Sequence, residues 1–444
     1  MTSRLSFSSR RHDLINGGLF LVAFWSTKLT TALVWRGVTG GETLTRTRRF
    51  GVSKCGSALL LAFVVFSAVA TCAVDHPQYL AFVGTYTGEG SQGIYAFRFD
   101  PGSGKVTSLG LAAKTENPSF LAADPNGQFL YAVNELPNFN GHPTGAVSAF
   151  QIDRGSGKLK FLQRVSSQGA GPAYLSLDKT GRFVLVAYYN SGNVAVFPIG
   201  DGGKLGPASA LKQQFGSSIN RQRQTGPHAH SILTSNDNRF ALSADLGTDQ
   251  IVVYRFDSQK GSLSPNNPPF AKVKAGSGPR HIAFAPSGKW VYVANEMAAT
   301  ITVFSYDAQS GTLTTRQTVP TLPADFKGEN REAEIAVDTQ GKFLYVSNRG
   351  YDTIAVFQIG VDGTLSFLQR VPSGGKTPRN FAIDPTSRWL LAANHRSNNI
   401  QLFHVNPATG ELAAMGQISR IFDPVCVVFV PIDLRLREAK GDFP

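Results

Sequence analysis

Cysteine is scarce in this chain, with three in 444 residues. Cys55 and Cys72 fall within the first 74 residues, which leaves Cys426 alone in the body. A lone cysteine forms no intramolecular disulfide. No Cys/His spacing suited to a metal occurs either, so the sequence asks for neither a metal nor a cofactor. Cys426 stands in an apolar stretch and reads as a small buried residue. Charge is also sparse, at 16% of residues. The formal net charge of +13 resembles a nucleic-acid signal, but residues 1–74 hold nine Lys/Arg and two Asp/Glu. The remaining 34 basic and 28 acidic residues leave about +6 (34 − 28). No basic block with interleaved aromatics survives, which argues against a nucleic-acid partner. A mild positive field favours small anions instead.

What the chain does have is 45 Gly, 24 Pro and 31 Phe, with 42% hydrophobic residues. Few charges, many turn residues and many aromatics suit an all-β protein.

Residues 1–74 differ in character from the rest of the chain. Arg46, Arg48, Arg49 and Lys54 form a positive head, Ala58 to Ala70 is apolar, and small residues come after it around Ala73. That layout over about 46–73 is a secretory signal, and its apolar run is too short for a membrane span. It predicts an exported product, periplasmic or extracellular, or a cytoplasmic one if the leader is unused. Val69-Ala70-Thr71-Cys72 is a weak lipoprotein-like box. Residues 1–45 read as an upstream extension, either a misplaced start or an anchor.

From about Pro77 the chain is periodic. Units begin near Pro118, Gly171, Gly226, Gly278, Arg331 and Thr377, roughly 46–55 residues apart, the period of propeller blades. Each unit carries strand-like runs, such as Phe129 to Val133, separated by Asp-Pro-Asn-Gly or Pro-Ser-Gly-Lys turns. Four short antiparallel strands per unit make a blade. Six units leave fragments at both ends, Tyr79–Asn117 and Asp423–Pro431. Joined, they complete a seventh blade and close the ring, which removes exposed sheet edges. The expected architecture is therefore a seven-bladed propeller over 77–431, with a tail at 432–444.

In such a ring, polar residues at matching places in different blades converge on one mouth. His230, Arg280, Glu296 and Arg349 stand out. A carboxylate between two guanidiniums and an imidazole can bind an anion and move a proton. Plainer readings stand beside this one. His228 and His230 can bond neighbouring loops, and Arg280 and Arg379, which share a Pro-Arg position, can brace blades. Glu296 can be a plain ion pair, and Arg349 can face solvent. Glu135 repeats the Asn-Glu of Glu296 in a blade without a matching His, as a mere repeat feature would. Asn134, Asn295, Asn348 and Asn394 recur at strand ends and read as turn residues.

GTYTGEGSQGIYAFRFD, GPHAH, GPRHIAFAPSGKWVYVANE, FLYVSNRG and PRNFAIDP together resemble the seven-bladed propeller lactonases from Tyr79 to about Pro431. That family includes the propeller-type bacterial 6-phosphogluconolactonases and the fungal carboxy-muconate cyclases. The resemblance implies hydrolysis of a sugar lactone without metal. In the cyclase branch the site is a His, an Arg, a Glu and a second Arg. Matched motif by motif, these fall on His230, Arg280, Glu296 and Arg349, with His228, Glu334 and Arg379 as substrate-binding neighbours. The arginines would hold a carboxylate, phosphate or oxyanion, while Glu296 or His230 activates water and the other protonates the leaving alkoxide. A muconate-type lactonising cyclase and a non-catalytic binding propeller are the alternatives. The export leader sits oddly with a cytosolic phosphorylated substrate.

Overall fold

The computed structural model describes residues 78–432 apart from Glu89. The leader-like segment 46–73, the extension before it, Cys55, Cys72 and residues 433–444 lie outside the described residues.

The described residues form seven four-stranded antiparallel sheets with two three-residue 3₁₀ turns. Blade one spans 120–166, blade two 172–213, blade three 229–272, blade four 279–320, blade five 331–372 and blade six 378–420. Blade seven is built from both ends of the ring. Pro424–Pro431 is its innermost strand and pairs antiparallel with Tyr79–Thr85, Tyr79 facing Pro431 and Val83 facing Val427. The closure expected from the sequence fragments is therefore present.

The core is not one mass but seven clusters, one between each pair of neighbouring blades. The second strand of each blade lies between two such clusters. Phe183–Tyr188 (FVLVAY) and Trp389–Asn394 (WLLAAN) are accordingly buried along their whole length, so these runs are apolar on both faces rather than alternating. Neighbouring blades are also tied by hydrogen bonds. Tyr131, Tyr292 and Tyr345 donate their hydroxyls to the carbonyls of Gly203, Gly363 and Gly410, and Trp389 Nε1 donates to Pro101 O.

Aspartates set the first hairpin of several blades. Oδ1 of Asp178 accepts from the amides of Arg182 and Phe183, and Asp338 and Asp384 repeat the pattern. Each carboxylate thereby satisfies two turn amides that would otherwise lack partners. The strand-end asparagines depart from their expected role as turn residues. Asn134, Asn295, Asn348 and Asn394 are all 0% exposed. Their amides clamp the adjoining strands and loops, as in Asn134 Nδ2 to Thr115 Oγ1 and Asn394 Nδ2 to Ser373 O. Cys426 is buried, as its context suggested, and its Sγ accepts the Leu121 amide at 3.3 Å.

Candidate functional site

Two sets of equivalent backbone positions build the site. In every blade but blade one, the first lies near the start of the inner strand, where a β-bulge leaves a residue out of register. The bulged residues are Ala173, His230, Arg280, Arg379 and Val425. In blade five the bulge takes in both Ala333 and Glu334. A bulge bends the strand and re-aims its side chain, here toward the mouth of the ring. The second set is the residue just past the buried strand-end position of each second strand. Tyr86, Glu135, Tyr189, Leu246, Glu296 and His395 each donate their amide to a carbonyl just ahead of the neighbouring inner strand. Arg349 holds the same place in blade five, paired with Arg331.

Glu296 is the hub where these sets meet. It is 4% exposed, yet three guanidiniums reach it. Arg223 Nη2 lies 2.9 Å from Oε1, and Arg349 Nη2 lies 2.7 Å from Oε2. Arg280 Nε is 3.1 Å from Oε2, an ion pair without hydrogen-bond alignment. Burial works against the charge on Glu296, but Arg349, Arg280, His230 and Arg223 overcome it and hold the carboxyl well below its ordinary range. Arg349 is thus not solvent-facing. Arg280 Nη1 also donates to Ala333 O at 2.6 Å. Burial, with Arg349 and Arg379 nearby, lowers the Arg280 guanidinium to about 9. Excess positive charge is therefore packed at this point.

His230 is 5% exposed, and its Nδ1 is buried without a partner. Its ring meets Tyr189 and His281 edge-on at 5.5 and 5.3 Å. Burial, then Arg280, keeps its basicity well below that of a free histidine, so the ring is neutral at physiological pH. Below it runs a second buried line. His281 Nε2 faces Arg280 Nη1 at 3.1 Å, and its Nδ1 faces Glu334 Oε1 at 3.1 Å. Arginine can only donate, so Nε2 accepts and Nδ1–H donates. Glu334 also accepts from Asn380, whose Oδ1 takes the Val427 amide. Burial raises the Glu334 carboxyl to about 7, against the pull of Arg280.

A cavity of about 290 Å³ opens over this ground, lined by Glu135, Ala173, Tyr189, Arg223, His230, Glu296, Arg331, Arg349 and Arg379. Four arginines face two glutamates there, and Arg280 adds a fifth guanidinium beside Glu296. A second cavity of about 350 Å³ shares Arg331, Arg349 and Arg379 and adds His395, Arg396 and Glu329. Among the described residues, no group of three or more His, Cys, Asp or Glu is arranged to hold a metal.

The structure thus brings His230, Glu296, Arg280, Arg349 and Arg379 together. It places two of the expected substrate-binding residues elsewhere. His228 does not line the cavity: its ring stacks on Tyr189 at 4.6 Å, and its Nδ1 meets Tyr189 O at 2.6 Å. Tyr189 in turn accepts from Arg223, which pairs with Glu296, so two residues stand between His228 and Glu296. Glu334 lies in the buried line under Arg280, also outside the cavity lining. Sequence reasoning missed Arg223, Arg331, Tyr189 and Tyr86. It also set aside Glu135, although Glu135 lines the same cavity as Glu296. Arg223 sits in the long connection between blades two and three, where no repeat pattern marks it.

The sequence profile of the family described as "Lactonase, 7-bladed beta-propeller" matches residues 80–429. The chain is 36% identical over 358 residues to the 6-phosphogluconolactonase of Bacillus subtilis, covering 80% of this chain and 99% of that one. It is 35% identical over 347 residues to the 6-phosphogluconolactonase of Formosa agariphila, covering 76% and 95%. Among solved structures, the periplasmic gluconolactonase of Pseudomonas aeruginosa matches with a TM-score of 0.75 at 32% identity, over 80% of this chain and 100% of that one.

Proposed function

The chain belongs to the seven-bladed β-propeller lactonase family, and on that premise we propose that its His230 cavity hydrolyses a sugar lactone bearing an anionic group, with 6-phosphogluconolactone the substrate. The observation that carries this reading is the surplus of guanidinium over carboxylate around one unpartnered buried imidazole. Buried polar atoms are normally satisfied, so an orphaned ring nitrogen beside a cavity marks a place for substrate or water.

Each residue then has a role set by its surroundings. Glu296 has both oxygens committed, so it is a poor proton acceptor. Its charge instead holds Arg223, Arg280 and Arg349 together. Arg223 and Arg349, which line the cavity, face the carbonyl oxygen as it becomes an oxyanion, and Arg280 adds its charge from behind Glu296. A neutral His230 suits hydrogen-bond donation to the same oxygen, as neutral imidazoles do in other carbonyl chemistry. Arg331 and Arg396, which both line the adjoining cavity, take the phosphate in this reading, because guanidinium forks match phosphate oxygens.

The purified protein should be assayed against 6-phosphogluconolactone, unphosphorylated sugar lactones and carboxymuconate, with spontaneous hydrolysis subtracted. The highest kcat/KM is expected on the phosphorylated lactone. Equal or better turnover of unphosphorylated lactones would shift the substrate toward that of the periplasmic gluconolactonase, and turnover of carboxymuconate alone would replace the reading.

A further inference from the structure

With Glu296 occupied, the hydrolysis needs another group to take the proton of the attacking water. We propose that Glu135 is that general base and that Tyr86, backed by Arg379, positions it. The inference rests on the lactonase reading.

Glu135 stands at the same backbone position as Glu296, three blades away, and both line the His230 cavity. Its surroundings are the reverse of those of Glu296. No arginine or lysine forms an ion pair with it among the described residues. Its Oε2 accepts one hydrogen bond, from the Tyr86 hydroxyl at 2.8 Å. Oε1 has no hydrogen-bond partner among the described residues. A carboxylate offers about four lone-pair sites, so one oxygen is held and the other is open to the cavity.

The direction of the Tyr86 bond is fixed by a third residue. Arg379 Nη2 donates to the Tyr86 hydroxyl oxygen at 2.8 Å. The phenol has one proton, and with the guanidinium donating to its oxygen, that proton points at Glu135. Burial, offset by Arg379 and reinforced by Glu135, raises the Tyr86 phenol to about 12, so it remains a donor throughout the working pH range. The Tyr86 ring is held in turn between the Arg379 guanidinium, 5.4 Å from its centroid, and the His395 ring at 5.4 Å. The backbone of Glu135 is also pinned, its amide donating to Asn117 O at 3.0 Å. Tyr86 therefore links Arg379 to Glu135, donating to the carboxylate while accepting from the guanidinium. The carboxylate is oriented without being neutralised.

The step balances without further reactants. Water oxygen bonds to the lactone carbonyl carbon while one water proton passes to Glu135 Oε1, and the carbonyl π pair moves onto its oxygen, facing His230 and the arginines. That oxyanion then re-forms the carbonyl as the ring C–O bond breaks. The bonding pair stays on the ring oxygen, which takes the proton back from Glu135. The product is the open hydroxy acid, and Glu135 ends as it began.

The test is steady-state hydrolysis by wild type, Glu135→Gln, Glu135→Ala and Tyr86→Phe, with thermal unfolding of each. Glu135→Gln should lower kcat on the order of 10²–10⁴-fold, the usual worth of a general base, with KM little changed. Formate should restore part of the Glu135→Ala rate by occupying the vacated carboxylate position. Tyr86→Phe should lower kcat about tenfold with little change in KM, the mark of lost positioning rather than lost binding. Wild-type kcat in Glu135→Gln would overturn the proposal, as would folded Glu135→Ala that formate does not rescue. If wild type itself opened no lactone, the lactonase reading would fail instead, so the two failures are distinct.

Discussion

Glu296 and Arg349 occupy the same backbone position in consecutive blades, and their side chains meet at 2.7 Å. Repetition thus supplies the geometry, and substitution at equivalent places supplies the chemistry. The same logic puts His230, Arg280 and Arg379 on equivalent bulges of three inner strands.

Removing the hub charge should cost stability as well as activity. Glu296→Gln leaves Arg280 and Arg349, both largely buried, without their carboxylate. Breaking a buried pair from one side costs about 3–5 kcal/mol. Urea denaturation should show a loss of that order, together with a fall in turnover. Unchanged stability would mean that the three contacts to Glu296 are not made in solution.

The adjoining cavity predicts a split between substrates. Arg396→Met should raise KM for the phosphorylated lactone by about 10–100-fold, the worth of one charged hydrogen bond, while sparing an unphosphorylated lactone. Equal effects on both would remove Arg396 from phosphate binding. Rising salt should weaken the phosphorylated substrate preferentially for the same reason.

The buried line under Arg280 predicts a pH effect with a definite sign. Glu334 titrates at about 7 when folded and near 4.5 when unfolded. Its proton therefore stabilises the folded state below 4.5, and that contribution is lost as pH rises through about 7. Glu334→Gln lacks the titration. Wild type should thus lose stability relative to the variant between pH 4.5 and 8, on the order of 3 kcal/mol. A difference independent of pH would contradict the assignment.

Ring closure gives a cruder test. A chain ending at Asp423 lacks the inner strand of blade seven and exposes the edge of Tyr79–Thr85. It should aggregate or lose cooperative unfolding in calorimetry, whereas a chain ending at Ile432 should not. Equal behaviour of the two would mean that the ring does not depend on its terminal strand.

Much of this architecture is legible in the sequence because blades repeat their strands and turns, and the split seventh blade can be counted from the leftover fragments. The site is harder. Gly226-Pro227 and Gly278-Pro279 look equivalent, which sets His228 opposite Arg280. The register instead pairs Ala229 with Asp245 as Pro279 pairs with Asn295, a shift of two residues that makes His230 the counterpart of Arg280. Gly247 permits this path: a Cβ there would lie 1.9 Å from Gly226 O. The asparagines mislead because a polar residue at a strand end looks exposed, while here it is sealed by the next loop. Tyr86 lies in the GTYTGEG stretch and Glu135 repeats the Asn-Glu of Glu296, but nothing in either stretch says that the two side chains meet. Their pairing bridges blades seven and one, which are consecutive in the chain, while the Arg379 contact to Tyr86 comes from blade six and exists only because the ring closes.

The most direct measurement is a crystal structure of the protein with 6-phosphogluconate, the product of the proposed reaction. The new carboxylate should lie beside His230 and the arginines around Glu296, with the phosphate between Arg331 and Arg396. Product bound away from this cavity, or a cavity left empty at saturating product, would contradict the proposed site.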